Sequence, residues 1–250
     1  MRPSSLVDAL AEQETAWQRR PLVRRLYNEW FDLIVARLAS VEGPTVELGS
    51  GFAPLKARLP ELVATDIQPT PWSDEVADAH ALPYADGSLA NLIAVDVVHH
   101  LADPARFFDE ARRTLRPGAR LVALEPYTSP LSTLAYRLFH HERTDPGADP
   151  FRPDPRLAAE ALEGNQALAR LLFFRRADEF RRRWPELRIV ERRRFAFLLY
   201  PLSGGFSRRP LLPFAAYRPL AAVEKLLEPA APLLAFRCLV VLERAGDGSG

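Results

Sequence analysis

The stretch that most constrains the fold of this chain runs from Thr45 to Gly51 and reads Thr-Val-Glu-Leu-Gly-Ser-Gly. Its first four residues are mostly apolar, which is typical of a buried parallel strand. Gly49 and Gly51 then allow a tight turn at which a ligand can contact bare backbone. Glycine pairs follow strands in many doubly wound folds, so the segments after the turn must decide what it binds.

Acidic residues recur near the ends of the next predicted strands. The strand predicted over 62–66 ends at Asp66, nineteen residues after Glu47. An acid at this strand end lies across the crevice from the glycine turn, where it can accept hydrogen bonds from both hydroxyls of a ribose. A further strand, predicted over 91–100, contains Asp96 and runs into His99 and His100. The pattern therefore predicts a nucleotide-type site along one edge of a sheet.

Strands and helices alternate up to residue 126, which predicts an α/β fold with a doubly wound, seven-stranded Rossmann-like sheet and helical lid insertions. The last two strands, predicted over 187–197 and 233–242, place one antiparallel strand in the sheet. We expect a single domain over 1–250. Its parts are an N-terminal helical lid (1–40), a cofactor-binding core (44–126), a helical insert (127–184), the final strands (187–244) with an insert at 198–228, and a tail (245–250).

Composition limits the class of protein to which the chain can belong. The chain has 250 residues, of which 48% are hydrophobic and 26% charged, so it can bury a substantial core. Its one cysteine, Cys238, excludes an internal disulfide, and neither a signal peptide nor an apolar run of about 20 residues is present. We therefore expect a cytoplasmic protein without a membrane span. The sequence leaves the oligomeric state open.

Charge is unevenly distributed. Twelve arginines stand against four acidic residues between Asn165 and Arg209. Such an excess can face an anionic substrate, a carrier-bound substrate or a membrane surface, or it can simply be solvated on exposed helix faces. Nucleic acid is not expected as a partner, because the arginines lack an aromatic-interleaved recognition motif.

Five ordered segments resemble the motifs of class I S-adenosylmethionine-dependent methyltransferases of the small-molecule type, the group that contains the ubiquinone and menaquinone methyltransferases. Beyond Pro126 the chain resembles an uncharacterised bacterial branch of that superfamily. Many members have a third glycine where this chain has Phe52-Ala53-Pro54. The five segments are Glu47–Gly51, Asp66, Asp78-Ala79 with Leu82-Pro83-Tyr84, Val95–Leu101, and Leu115–Gly118 with the strand to Pro126.

The resemblance implies S-adenosylmethionine as the cofactor and assigns roles along the strand ends. Asp66 is expected to bind the ribose, Asp78 the adenine amino group, and Asp96 the methionine ammonium. The full set of expected cofactor-binding residues is Glu47, Gly49, Ser50, Gly51, Asp66, Ile67, Asp78, Ala79 and Asp96.

Methyl transfer needs a general base only if the acceptor arrives protonated. His99 and His100 are the catalytic candidates, because they follow a strand at the crevice and imidazole titrates near neutral pH. In an extended strand they would point in opposite directions, so only one would face the acceptor. The alternative is that both are structural. Second-rank candidates are Glu125, Tyr127, His140, His141 and Glu142, and no metal is expected because neither histidine doublet has the His-x-x-x-His spacing.

Aromatic residues in the N-terminal helices and the inserts predict a pocket for a small hydrophobic or aromatic acceptor, although each could instead be core. A first alternative function is that of an NAD(P)-dependent oxidoreductase. The sequence argues against it, because the third glycine of the G-x-G-x-x-G motif and a Tyr-x-x-x-Lys pair are both missing. A second is a non-catalytic cofactor-binding or scaffold protein. The expected substrate-binding residues are Tyr27, Trp30, Tyr127, His140, His141 and Tyr200.

Overall fold

A computed structural model of the protein describes residues 5–139, 143–159 and 163–246. Within these ranges no helix is both long enough and apolar enough to cross a membrane. Seven strands form one sheet. They are β1 (Thr45–Leu48), β2 (Val63–Asp66), β3 (Glu75–Val76), β4 (Leu89–Val95), β5 (Leu115–Pro126), β6 (Leu187–Phe195) and β7 (Arg237–Arg244).

The strand order is β3-β2-β1-β4-β5-β7-β6. Neighbouring strands from β3 to β5 pair in parallel, whereas β7 pairs antiparallel with both β5 and β6. The predicted seven-stranded sheet with one antiparallel strand is therefore confirmed. Because the parallel strands point the same way, their carboxyl ends and the start of β7 meet at one edge, which we call the carboxyl edge.

Ten α-helical segments surround the sheet in the described residues. Pro21 begins α2 directly after α1, and Asp103 caps α3 by accepting a hydrogen bond from the backbone N–H of Arg106 at 3.2 Å. The helices are α1 (Leu6–Arg19), α2 (Pro21–Val35), α3 (Pro104–Thr114), α4 (Pro130–Phe139), α5 (Pro155–Ala159), α6 (Leu168–Arg170), α7 (Ala177–Arg183), α8 (Leu199–Ser203), α9 (Tyr217–Leu227) and α10 (Ala231–Leu234).

Alternate residues of the strands feed two cores, one on each face of the sheet. On one face, Leu239 and Val241 of β7 pack with the apolar stripe of α2, including Trp30 and Ile34. On the other face, strand residues such as Val240 pack with α3 and α7. The N-terminal helices therefore lie on one side of the sheet, where they reach the carboxyl edge.

The prediction of a strand over 91–100 is wrong at its C-terminal end. β4 stops at Val95, and the segment Val98–His100 forms a 3-10 turn. The chain leaves the sheet because Asp96 takes a left-handed conformation, with φ of +58°. The expectation that the two adjacent histidines point in opposite directions therefore does not apply, since they lie on a helical turn.

Other boundaries differ for local reasons. The segment after the glycine turn forms only a short 3-10 helix, Pro54–Ala57, and β5 already starts at Leu115. The strand predicted from Leu233 starts at Arg237, because the apolar residues before it belong to α10. Apolar runs that are buried do not distinguish helix from strand by periodicity.

β6 lies at one edge of the sheet and carries several of the clustered arginines. Arg192 donates to the carbonyl of Phe173 at 2.7 Å, and Arg194 donates to the hydroxyl of Tyr127 at 2.9 Å. Charged side chains on an edge strand also discourage pairing with another sheet. Much of the local arginine excess thus has a structural use.

Candidate functional site

The glycine turn after β1 has the geometry that its sequence predicts. Gly49 and Gly51 adopt positive φ values of +58° and +60°. A Cβ atom on Gly49 would lie 2.7 Å from Cγ2 of Val97, so no side chain fits there without movement. Ala53, in the position of the third glycine in many relatives, also takes a left-handed conformation, with φ of +51°. The turn therefore forms without the third glycine.

Two polar side chains next to this turn are buried without hydrogen-bond partners. The Oε2 atom of Glu47 and the Oγ atom of Ser50 have none in the described part of the chain. Burial raises the pKa of Glu47 from its usual 4.5 to about 8. A buried polar atom without a partner costs free energy, and such atoms often mark a place where a ligand binds. The hydroxyls of Thr128 and Thr144 are also unpartnered.

Asp66 ends β2 beside the glycine turn. Its Oδ1 atom accepts a hydrogen bond from the backbone N–H of Ile67 at 2.8 Å. Burial raises the pKa of Asp66, and hydrogen bonds from the backbone of Ile67, Gly51 and Gln68 oppose that shift. The carboxylate is therefore fixed against the glycine turn, while the Ile67 side chain is exposed.

Asp78 and Ala79 follow β3 on the same edge. The Oδ1 atom of Asp78 accepts a hydrogen bond from the backbone N–H of His80 and lies 2.8 Å from its Nδ1 atom. Burial raises the pKa of Asp78, but these bonds to His80 outweigh it and hold the pKa below its usual value. Asp78 is therefore anchored by His80, and Ala79 packs against the core.

The turn after β4 is fixed by Glu125, which is fully buried at the end of β5. Its Oε1 atom accepts hydrogen bonds from the backbone N–H groups of Val97 and Val98 at 2.8 and 2.7 Å. Its Oε2 atom accepts from the backbone N–H of His99 at 3.3 Å. These bonds hold Asp96 in its left-handed conformation, a conformation that aspartate tolerates better than most residues.

The structure brings both predicted histidines to this turn but gives them different surroundings. His99 is buried, and its Nδ1 atom lies 2.7 Å from Oε2 of Glu125. His100 is half-buried, and its Nδ1 atom lies 2.8 Å from the carbonyl oxygen of Glu163. Possible ligand atoms of Asp96, His99 and Glu125 all lie within 4.8 Å of one another. Because Glu125 already accepts three backbone hydrogen bonds, this group reads as a hydrogen-bonded network.

Four aromatic side chains cover the carboxyl edge from the α2 side. Tyr27 packs against Trp30 and Phe206, with ring centroids 4.7 and 5.2 Å apart, and Trp30 packs against Tyr200 at 5.3 Å. The hydroxyl of Tyr27 lies 3.5 Å from Oδ2 of Asp96, at the outer limit of hydrogen bonding. Burial raises the pKa of Tyr27 well above its usual value.

This cover joins distant parts of the chain. The insert that carries Tyr200 and Phe206 is tied to the N-terminal helices by Arg20, which donates to the carbonyls of Gly205 and Arg208. At the start of α8, the backbone N–H groups of residues 197, 198 and 199 all donate to Oε1 of Glu224, at 3.0, 2.7 and 2.7 Å. Three of the expected substrate-binding residues, Tyr27, Trp30 and Tyr200, thus lie together.

The other expected substrate-binding residues lie elsewhere. Tyr127 is buried in the core on the opposite face of the sheet, where its ring packs against Phe174 at 5.1 Å. His140 and His141 lie outside the described residues. A cavity of about 360 Å³ opens between the start of α3 and residues 148–157, and none of the expected site residues lines it.

Sequence reasoning missed Arg237, the first residue of β7. Its side chain is only 2% exposed, and its Nη1 atom lies 2.6 Å from Oδ1 of Asp96 in an ion pair. Its guanidinium lies over the rings of Trp30 and Tyr200, 5.3 and 5.5 Å from their centroids. The sequence did contain a signal, since Arg237 is the single charged residue in the otherwise apolar run from 235 to 242. A charged residue in a buried strand usually has a charged partner, which could have been sought among the acids of the neighbouring strand ends.

The residues at the carboxyl edge fit the implied cofactor. A side chain on Gly49 would meet Val97, and unpartnered atoms of Glu47 and Ser50 lie beside the glycine turn. Two further carboxylates are near, because Asp66 ends β2 and Asp96 follows β4. Anionic oxygens suit both ribose hydroxyls and an ammonium group. These acceptor groups therefore match a ligand that carries an ammonium group and a ribose.

Comparison with known proteins agrees with this geometry. Residues 48–123 match the family model described as "Methyltransferase domain". This segment is similar to a methyltransferase domain. Its match supports the sequence-based recognition of a class I methyltransferase and of S-adenosylmethionine as the cofactor.

Two curated relatives match parts of the chain. An uncharacterised 37.1 kDa protein in transposon Tn4556 of Streptomyces fradiae is 52% identical over 52 residues, which are 21% of this chain and 15% of that protein. Norajmaline N-methyltransferase of Rauvolfia serpentina is 28% identical over 97 residues, which are 39% of this chain and 29% of that protein. The chain thus spans less than a third of either relative.

The fold itself is similar to that of solved methyltransferases. A structure of an S-adenosylmethionine-dependent methyltransferase from Thermotoga maritima superposes with a TM-score of 0.54 at 14% identity, covering 94% of this chain and 99% of that chain. At this identity the likeness supports the fold, in agreement with the strand order around the methyltransferase domain.

Replacing Gly49 with alanine tests the glycine turn. We expect Gly49→Ala to weaken binding of S-adenosylhomocysteine roughly ten-fold or more, because the new Cβ meets Val97 and displaces the turn. Gly87→Ala is the matched control, since Gly87 has a φ of +57° and a Cβ there would meet nothing within 4 Å. Calorimetric titration and urea unfolding of both variants provide the measurements. Equal loss of binding in the two variants would contradict the assignment.

The raised pKa of Glu47 predicts a pH dependence of stability. Between pH 4.5 and about 8 the folded protein keeps a proton that the unfolded chain has lost, so unfolding free energy falls as pH rises. We expect the wild type to lose stability relative to Glu47→Gln across this range, by at most about 1.4 kcal/mol per pH unit. Urea unfolding of both proteins from pH 5 to pH 8 measures the difference. Parallel stability curves would show that Glu47 does not hold this proton.

Proposed function

We propose that this protein transfers a methyl group from S-adenosylmethionine to a small acceptor with an apolar or aromatic body. The observation that carries the proposal is the set of groups gathered at the carboxyl edge. The glycine turn follows β1, Asp66 is bonded to that turn, and Asp96 follows β4 beside an aromatic cover. The methyltransferase domain match over residues 48–123 supports the same activity.

Each group at the edge then has one task. Asp66 accepts hydrogen bonds from the ribose hydroxyls, and Asp78, held by His80, accepts from the adenine amino group. Asp96 attracts the methionine ammonium. The buried carboxyl of Glu47, in β1 just before the glycine turn, is the second acid that we propose to face this ammonium. A cation beside Glu47 favours its ionised form, so cofactor binding near neutral pH releases a proton.

Bound S-adenosylmethionine supplies a methyl group activated by its sulfonium. The protein's own residues align the acceptor with that methyl and exclude water, effects worth up to roughly 7–11 kcal/mol when alignment is good. Tyr27, Trp30, Tyr200 and Phe206 form a closed aromatic surface over the edge, and this surface is suited to hold a flat acceptor in place. We propose that α1, α2 and the insert at 198–228 act together as the cover of the acceptor pocket.

His99 is the general base that the geometry favours over His100. The carboxylate of Glu125 faces Nδ1 of His99, so a neutral imidazole donates from Nδ1 and uses Nε2 to accept a proton. His99 also lies next to Asp96, since side-chain N and O atoms of Asp96, His99 and Glu125 are at most 4.8 Å apart. The ring of His100 packs against that of His99, with centroids 4.0 Å apart, but its Nδ1 atom faces the carbonyl of Glu163 and not a carboxylate.

A freely diffusing acceptor agrees best with the surface charge. The arginine excess between 165 and 209 was the sequence argument for a carrier-bound or membrane-surface substrate. Several of these arginines contact groups of the protein itself, including Arg176 with Glu179 and Asp149, and Arg188 with Glu243. Exposed ion pairs of this kind add little attraction for an outside anion.

The alternative of a nicotinamide-dependent oxidoreductase is disfavoured by topology. Dinucleotide-binding folds of that class have a last strand that continues the parallel order, whereas here the antiparallel β7 lies between β5 and β6. A non-catalytic cofactor-binding protein shares the same edge. Turnover on an acceptor separates that alternative from the proposal.

Parallel calorimetric titration with S-adenosylmethionine, S-adenosylhomocysteine and NADH tests the cofactor. We expect the first two to bind with dissociation constants on the order of micromolar and NADH not to bind. Asp66→Asn should weaken both by roughly ten-fold or more, because the amide leaves a ribose hydroxyl poorly paired. Binding of NADH alone would move the oxidoreductase to first place, and binding without methyl transfer to any acceptor would favour the scaffold.

The base assignment is tested with the first acceptor that the wild type methylates. We expect His99→Gln to lower kcat by about 100-fold or more and to remove the pH dependence of kcat that a general base produces. His100→Gln is the matched control and should keep both kcat and the pH profile. Affinity for S-adenosylhomocysteine should stay unchanged in both variants. A wild-type pH profile in His99→Gln would show that His99 only supports the turn.

A further inference from the structure

The guanidinium of Arg237 forms an ion pair through one nitrogen and has two further nitrogens without a hydrogen-bond partner. Its Nη1 atom is paired with Asp96, at 2.6 Å from Oδ1. Its Nε and Nη2 atoms are buried and have no hydrogen-bond partner among the residues that the structure describes. Leaving buried donors of a charged group unpaired is costly, so the edge formed by Nε and Nη2 calls for an acceptor from outside the described chain.

Other arginines in the same chain show what that edge binds. In Arg37, Nε and Nη2 donate to the two carboxylate oxygens of Glu191 at 2.8 and 2.7 Å. In Arg113 the same two atoms donate to Glu110 at 2.9 and 2.7 Å. In Arg176 they donate to Glu179 at 2.9 and 2.8 Å. A planar pair of donors at this spacing matches the two oxygens of a carboxylate.

The surroundings restrict how a ligand can reach this edge. The rings of Trp30 and Tyr200 lie against the guanidinium, with centroids 5.3 and 5.5 Å from its central carbon. A ligand oxygen must therefore approach in the guanidinium plane, and a flat organic acid can do so while its apolar body contacts the aromatic cover. Because the edge is closed to solvent, these rings must part to admit the ligand.

The charge balance points the same way and rests on the proposed function. Arg237 and Asp96 form a neutral pair on their own. The ammonium and carboxylate of the methionine part balance each other, so bound S-adenosylmethionine adds the one positive charge of its sulfonium to this group. A carboxylate at the Nε and Nη2 edge of Arg237 restores neutrality, which a buried site requires.

The aromatic cover assigns the anion to the acceptor, because Trp30 and Tyr200, which lie over the guanidinium of Arg237, belong to the proposed acceptor pocket. The glycine turn that faces the cofactor follows β1, whereas Arg237 begins β7 under Trp30 and Tyr200. We infer that the methyl acceptor carries a carboxylate, which Arg237 binds through its Nε and Nη2 atoms.

The probes for the test are benzoate and benzamide, which share a ring and differ in charge. Each is titrated into the protein saturated with S-adenosylhomocysteine while the arginine Nε–H signals are followed by NMR. The signal of Arg237 is assigned by its loss in Arg237→Lys, which keeps the positive charge beside Asp96 and removes the planar edge. We expect benzoate, and not benzamide, to shift this signal, and Arg237→Lys to weaken benzoate binding roughly ten-fold or more.

Two controls separate the outcomes. Arg37→Lys removes an equivalent donor pair that is already occupied by Glu191, so it should leave benzoate binding unchanged. Calorimetric affinity for S-adenosylhomocysteine should be the same in Arg237→Lys and the wild type. A loss of that affinity would overturn the inference, because the edge would then bind the methionine carboxylate of the cofactor. Equal responses to benzoate and benzamide, or no response of the Arg237 signal, would also overturn it.

Failure of the proposed function gives a different result. If S-adenosylhomocysteine does not bind the wild type at all, the cofactor assignment fails before any acid is added. If it binds and benzoate leaves the Arg237 signal unchanged, the cofactor assignment stands and only the acceptor carboxylate is rejected.

Discussion

The candidate site depends on one buried carboxylate. Glu125, at the end of β5, accepts hydrogen bonds from three consecutive backbone N–H groups of the turn after β4 and faces the imidazole of His99. Hydrogen bonds to a charged acceptor are among the stronger ones in proteins. By closing this turn, Glu125 fixes the left-handed backbone of Asp96, the position of Val97 against Gly49, and the ring of His99. Three expected site residues thus share one anchor.

Asp96 connects the two halves of the site. The next residue, Val97, lies against Gly49 of the glycine turn, where we propose that the cofactor binds. Asp96 itself forms an ion pair with Arg237 under the aromatic cover. The ion pair is buried on the Arg237 side, where a charge without a partner would be strongly destabilising. A ligand that changes the charge around Asp96 therefore changes what Arg237 can bind, so cofactor and acceptor binding are expected to be coupled.

Local sequence was sufficient to predict the glycine turn and the acid at the end of the next strand. Gly49, Gly51 and Asp66 could be placed from the sequence because they depend on short-range patterns, namely a strand, a turn and the next strand end. The antiparallel last strand also followed from pattern and resemblance. These features need no knowledge of which distant side chains meet, and the parallel order brings them together at one edge.

The acceptor side could not be derived in the same way. The orientation of His99 follows from Glu125, 26 residues further along the chain, and the 3-10 turn that carries it exists because of that contact. Arg237 begins an apolar strand, and its role emerges only when β7 lies beside β5 and Asp96 comes within reach. Tyr127 shows the converse, since its place after β5 suggested the pocket but its side chain packs on the other face.

A crystal structure of the protein with S-adenosylhomocysteine bound tests the central claim most directly. The account predicts the ribose at Asp66, the ammonium at Asp96 and the Glu125 hydrogen bonds unchanged. A nucleotide bound elsewhere, or a turn after β4 that releases Glu125 to admit the ligand, would contradict it.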